Sequence, residues 1–171
     1  MWWRRLRYLL LLVALCAIAT CPAARRACLA RTRAAEADQL LGYLADRVAA
    51  QVAATGRVPS TPAGPTPKGC CGANGAGGAG EPAGAGGASG DGVCSTDAAL
   101  WAEPGWRALG FSIDGPHRYT YQYVPDASGL SATLRAVADL ACDGAATTVE
   151  LKLAVVGGTV TRAWSRSTPV H

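Results

Sequence analysis

Apolar positions along the chain change character three times, and each pattern predicts a different element. Tyr8 to Ala24 is a run of 17 residues without a charge, preceded by Arg4, Arg5 and Arg7. It reaches the lower end of the roughly 17–25 residues that cross a membrane as a helix. From Leu29 to Ala54 the apolar positions Leu29, Ala37, Leu40, Leu41, Leu44, Val48 and Val52 recur at spacings of three and four, among them Glu36, Asp38, Asp46 and Arg47. This spacing predicts an amphipathic helix, with Gly56 as its stop and Pro59 shortly after. Unbroken through Pro22, the two stretches would make a helix of about fifty residues, bent where the proline ring meets the preceding turn.

Alternation takes over in the last third. Tyr119, Tyr121 and Tyr123 share one face of Arg118–Val124; Leu130, Ala132, Leu134, Ala136 and Ala138 alternate with polar residues; so do Val149, Leu151, Leu153 and Val155. Gly157-Gly158 before Thr159–Trp164 is a two-residue hairpin signal. Ser95–Trp101 opens with capping residues and predicts a short helical turn leading to Trp106–Phe111. The fold class expected is α+β: a long N-terminal helix whose amphipathic half, through Leu40, Leu41, Leu44 and Val48, covers three or four antiparallel strands.

Between helix and sheet the composition shifts. Val58–Pro67 holds four prolines, and Gly72–Gly92 holds ten glycines and six alanines in 21 residues. Neither stretch is expected to form a packed element, and the second reads as a disordered insertion with no bulky group to offset its chain entropy. The expected organisation is 1–28, basic N-terminus and hydrophobic anchor helix; 29–56, amphipathic helix; 57–94, a Pro- then Gly/Ala-rich loop bracketed by cysteines; and 95–171, short helix and antiparallel sheet of a head domain.

Charge sharpens the reading of the N-terminus. The chain carries +4 overall, yet residues 1–35 hold seven arginines and no acid, whereas residues 36–171 hold nine basic and twelve acidic groups. Basic residues beside an apolar run read as a topology signal, with Arg4, Arg5 and Arg7 on the cytoplasmic side and the rest exported. Nucleic acid is not an expected partner, because no recognition module or basic-aromatic stripe accompanies the arginines. Three readings of the run stand, in this order: an uncleaved anchor inserted through Tyr8, Leu9, Leu10, Leu11, Leu12, Val13, Leu15, Ile18 and Pro22; a secretory signal cut after Ala17-Ile18-Ala19; and a lipoprotein box at Ile18–Cys21, where Thr20 stands in place of a small residue. All three export the body.

Export makes the seven cysteines informative. Cys70, Cys71, Cys94 and Cys142 allow three pairings, and adjacent cysteines bridge each other only with strain. Cys70 and Cys71 are therefore each expected to pair with one of Cys94 and Cys142, adding roughly 2–4 kcal/mol per bridge. Cys16, Cys21 and Cys28 fall on the anchor helix and read as buried thiols. A zinc site from the thiols and His117 lacks a C-x-x-C knuckle. Asp139–Gly144 lacks the alternating oxygen ligands of a calcium loop and reads as a turn. His117 and His171 are the only histidines, unaccompanied by a serine elbow, paired acids or a ligand cluster, and His117 is expected at the surface. No enzyme, cofactor, metal or small-molecule substrate is expected.

Segments covering most of residues 8–164 resemble the type IV pilins and their pseudopilin-like relatives. The likeness is carried by Ala17-Ile-Ala-Thr-Cys-Pro-Ala23 with Ala30-Arg-Thr-Arg-Ala-Ala-Glu-Ala37, by Trp106-Arg-Ala-Leu-Gly-Phe111 with Gly115-Pro-His-Arg-Tyr-Thr-Tyr-Gln-Tyr123, and by Ala138-Asp-Leu-Ala-Cys-Asp-Gly144. The family's peptidase signal, a glycine followed by Phe-Thr-Leu-x-Glu, is absent; Arg7-Tyr8-Leu9 stands there. The resemblance implies a divergent, unprocessed, single-pass inner-membrane protein with a periplasmic head, a minor subunit or accessory protein of a type IV pilus or type II secretion-like filament that meets other subunits through its N-terminal helix. The alternative is an exported periplasmic binding domain, freed by signal cleavage or held by lipid, that uses exposed Tyr and Trp residues for ligand contact and has no filament role.

Overall fold

Leu41, Leu44, Ala45 and Val48 are wholly buried and Val52 nearly so, and they form one stripe of helix α1 (35–55). The computed structural model describes residues 32, 35–71, 92–94, 97–140, 142 and 144–167. α1 ends where Gly56 turns left-handed (φ +74°) and donates its N–H to Val52 O at 2.7 Å, satisfying a carbonyl the last turn leaves open.

Five strands follow: β1 (Ala63–Thr66), β2 (Thr120–Pro125), β3 (Ser131–Ala138), β4 (Thr147–Val156) and β5 (Thr159–Ser167). They lie in the order β1-β2-β3-β4-β5 with every neighbour antiparallel. Period-two alternation sends Tyr121, Tyr123, Leu134, Ala136, Val149, Leu151 and Leu153 to one face, where they share a core with the α1 stripe. Gly157 and Gly158, both at positive φ, make the tight β4–β5 turn. Between β1 and β2 the chain forms a 3₁₀ turn (Ala98–Ala102), capped by Asp97 Oδ1 accepting from Ala99 N–H, and helix α2 (Pro104–Leu109). α2 places Trp106 and Leu109 in the core. Two α1 side chains hold its C-terminal end: Arg47 Nε donates to Leu109 O at 3.1 Å and Gln51 Nε2 to Ala108 O.

The expected fold class is corrected. Helix α1 stands against a five-stranded sheet, so the described fold is mostly sheet and not a long helix on three or four strands. The extra strand comes from the proline-rich stretch, which was expected to form no packed element. β1 escapes that expectation because it lies at the sheet's edge, where proline's missing N–H removes no ladder bond; its pairing with β2 also shifts register between Ala63 and Thr66. The apolar run and the 72–91 part of the glycine-rich insertion lie outside the described residues. Among the described residues no helix is long and apolar enough to cross a membrane.

Close approach explains Gly64. It sits at φ +76°, and a Cβ there would stand 2.4 Å from Tyr121 O and 3.0 Å from the Trp106 ring. Gly64→Ala is expected to lower stability by roughly 2–4 kcal/mol, because a left-handed backbone and a backbone overlap both oppose the methyl. Gly69→Ala, with open space at its Cβ, should change stability by less than about 0.5 kcal/mol. Paired urea titrations of the two variants check this.

Candidate functional site

The helix face named from the sequence is spent on the fold. Leu41, Leu44 and Val48 are fully buried and Leu40 packs at the margin of the same core, where they meet the sheet. Tyr8, Leu9, Leu10, Leu11, Leu12, Val13, Leu15, Ile18, Pro22 and the flanking Arg4, Arg5 and Arg7 all lie outside the described residues.

The four body cysteines close two bridges, Cys70–Cys94 and Cys71–Cys142, with Cα separations of 4.5 and 5.5 Å. Adjacent residues beyond the end of β1 are thereby tied to two different segments, one leading toward β2 and the other just past β3. Cys94 also donates its N–H to His117 O at 2.7 Å in an isolated antiparallel bridge. The base of the glycine-rich insertion is therefore pinned at both its ends, and β1 is clamped against the rest of the sheet. Asp139 accepts Gly144 N–H on its Oδ2 at 2.6 Å, so this carboxylate closes the turn that carries Cys142. Cys142 itself has φ +54°, a backbone cost of about 1–2 kcal/mol for an L-residue that the bridge and turn hold in place.

Beside the clamp lies an aromatic centre. The Trp101 ring is 5.3 Å from Trp106, 5.5 Å from Phe111, 5.8 Å from His117 and 6.5 Å from Tyr121. Trp106 Nε1 donates to Thr66 Oγ1 at 2.8 Å, fixing α2 to β1. Glu36, near the start of α1, accepts Arg118 N–H on Oε1 at 2.7 Å.

His117 is buried, with 1% of its surface exposed, which corrects the surface position expected for it. The signal was present in the sequence: the period-two register that turns Tyr119, Tyr121 and Tyr123 inward turns His117 inward as well. Those three tyrosines and Trp101 and Trp106 are buried too, so they cannot form the exposed aromatic contact surface of the binding-domain alternative. His117 Nδ1 lies 3.1 Å from Gly115 O, while among the described residues no hydrogen bond reaches its Nε2 or Trp101 Nε1, and the Tyr121 hydroxyl faces the Glu36 carboxylate. The grouping of these polar atoms has no local signature, because it depends on three-dimensional packing of α1, the 3₁₀ turn and β2.

Burial first, and the neighbouring Glu36 carboxylate second, push the Tyr121 phenol far above its ordinary 10.0, and burial raises Tyr123 in the same direction. Tyr123 OH donates to Pro59 O at 2.6 Å, a bond its phenolate cannot make. Above the unfolded phenol pKa the folded state holds protons that the unfolded chain has released. Stability is thus fully present below about pH 10 and falls as pH rises beyond it, at up to about 1.4 kcal/mol per pH unit per tyrosine. Urea titrations from neutral pH into that alkaline range should show the decline, and Tyr121→Phe should make it shallower.

Among the described residues the His117 ring is hydrogen-bonded to Gly115 O alone, and no three His, Cys, Asp or Glu gather as metal ligands. An open depression of about 440 Å³ on the sheet's outer face includes Arg135, Thr148 and Glu150 in its lining. Arg135 and Glu150 pair with each other there at 2.7–2.8 Å, and Arg166, which also lines it, pairs with Asp38 of α1. No known protein family, curated protein or solved structure matches the chain.

Proposed function

We propose that the chain is a membrane-tethered, exported structural protein of pilin-like kind, a minor subunit or accessory protein of a type IV pilus or type II secretion-like filament. The observation that carries this reading is the pair of disulfides that clamps β1 and the base of the insertion to the sheet. Such bridges belong to oxidising compartments and reinforce a small head. The helix covering that head is preceded in the chain by the arginine-flanked apolar run, which in this reading inserts in the inner membrane and offers its side to neighbouring subunits. The head then works by shape and rigidity, with His117 and most of its aromatic rings consumed as core.

The test is topological. With a C-terminal tag in a Gram-negative host, the chain should sediment with the inner membrane, and its tag should become protease-sensitive once the outer membrane is opened. A tag that stays protected until the inner membrane is lysed, or a freely soluble periplasmic species, would overturn the proposal.

A further inference from the structure

The two edges of the sheet are unlike. β1 is four residues long, with Pro65 inside it and Pro67 beyond it, and its pairing is irregular, all features that discourage a further strand. β5 is nine residues long, contains neither proline nor lysine, and pairs with β4 without a register break from Thr159 to Ser167. None of its residues is buried, and Trp164 is 45% exposed. Among the described residues no strand lies beyond it.

The direction of its backbone groups follows from the ladder. Val155 donates its N–H to Leu130 O, on the β3 side, so the odd residues of β4 bond toward β3 and the even ones toward β5. Their partners in β5 are Thr161, Ala163 and Ser165. The intervening Val160, Arg162, Trp164 and Arg166 therefore aim N–H and C=O at the open edge, and their side chains lie on the face that carries α1. Arg162 is paired with Asp46 and Arg166 with Asp38, both on α1, at 2.6 and 2.5 Å. The opposite face of β5 presents Thr161, Ala163, Ser165 and Ser167, all uncharged.

We infer that β5 pairs antiparallel with β5 of a second copy about a two-fold axis through Ala163, joining two sheets into one of ten strands. In that register Arg162 stands opposite Trp164 of the second copy and Val160 opposite its Arg166. Each guanidinium thus meets an aromatic or aliphatic neighbour, and no two arginines face each other. The edge reads its own reverse, and with both arginines already neutralised by α1 it offers no net charge to select a charged peptide. The two α1 helices fall on the same side of the joined sheet, with the two Trp164 side chains on the floor between them. This pairing does not rest on the tether, since it uses only residues 160–166.

The test uses the full chain, purified in mild detergent, with Cys16, Cys21 and Cys28 replaced by serine. Wild-type β5 should give twice the 17.4 kDa protein mass by light scattering, and Trp164→Pro should give the single mass. The proline removes an outward-facing N–H and the half-exposed indole but no hydrogen bond to β4, so the variant should still melt cooperatively as a folded head. Ala163→Cys, at the axis, should form an interchain disulfide under mild oxidation, whereas Thr161→Cys should not, because its counterpart is Ser165 of the second copy. A wild-type chain that remains monomeric, which would leave the edge for some other extended segment, overturns the inference. A dimer that survives Trp164→Pro, or that crosslinks at Thr161→Cys and not at Ala163→Cys, overturns it equally.

Discussion

Replacing Cys71 and Cys142 together by serine is expected to cost about 4 kcal/mol of unfolding free energy, the scale for closing a loop of this length. The bridge spans 71 residues, against 24 for Cys70–Cys94, so it removes the larger share of freedom from the unfolded chain. The folded state loses as well, because β1 is short, irregularly paired and lies at an edge; without the bridge it keeps only one covalent tie. For a body of this size the change corresponds to a fall in Tm on the order of 10–20 °C. Urea unfolding of the double variant, with Cys70–Cys94 intact, measures it. A loss below about 1 kcal/mol would mean that the clamp does not limit stability.

Trp106→Ala is expected to cost a similar amount, about 3–5 kcal/mol. Trp106 is fully buried and touches three parts of the fold at once. Its ring lies 5.3 Å from both Trp101 and Phe111, its Nε1 donates to Thr66 Oγ1, and its edge fills the space Gly64 leaves free. Truncation opens a cavity and strands the Thr66 hydroxyl, which is itself buried. Trp106→Phe keeps most of the ring volume and should recover more than half of the loss in the same titration. Equal losses for the two variants would assign the effect to the hydrogen bond rather than to packing.

How far the sequence could be read depended on whether an element's signal was local. The α1 stripe at Leu41, Leu44, Val48 and Val52 was legible from helical spacing, and β2 to β5 from alternation and the Gly157-Gly158 turn, since burial on one face writes its period directly into the chain. β1 was not legible. Its four residues, AGPT, have no strand-like composition, and what makes them a strand is the long-range neighbour β2 together with Trp106 anchored on Thr66. The choice of cysteine partners was open for the same reason: neighbours in sequence diverge to segments that only the folded sheet brings close. His117 illustrates a signal present and overridden, its alternation with the tyrosines outweighed by the polarity of the imidazole.

The central claim is that a disulfide-clamped head is exported on an N-terminal tether. Intact-mass spectrometry of the membrane fraction, with free thiols alkylated before and after reduction, tests it most directly. The account predicts the unprocessed 171-residue chain, with Cys70, Cys71, Cys94 and Cys142 blocked to alkylation until reduced. A soluble species beginning near Thr20, or a membrane species whose four body cysteines alkylate without reduction, would contradict it.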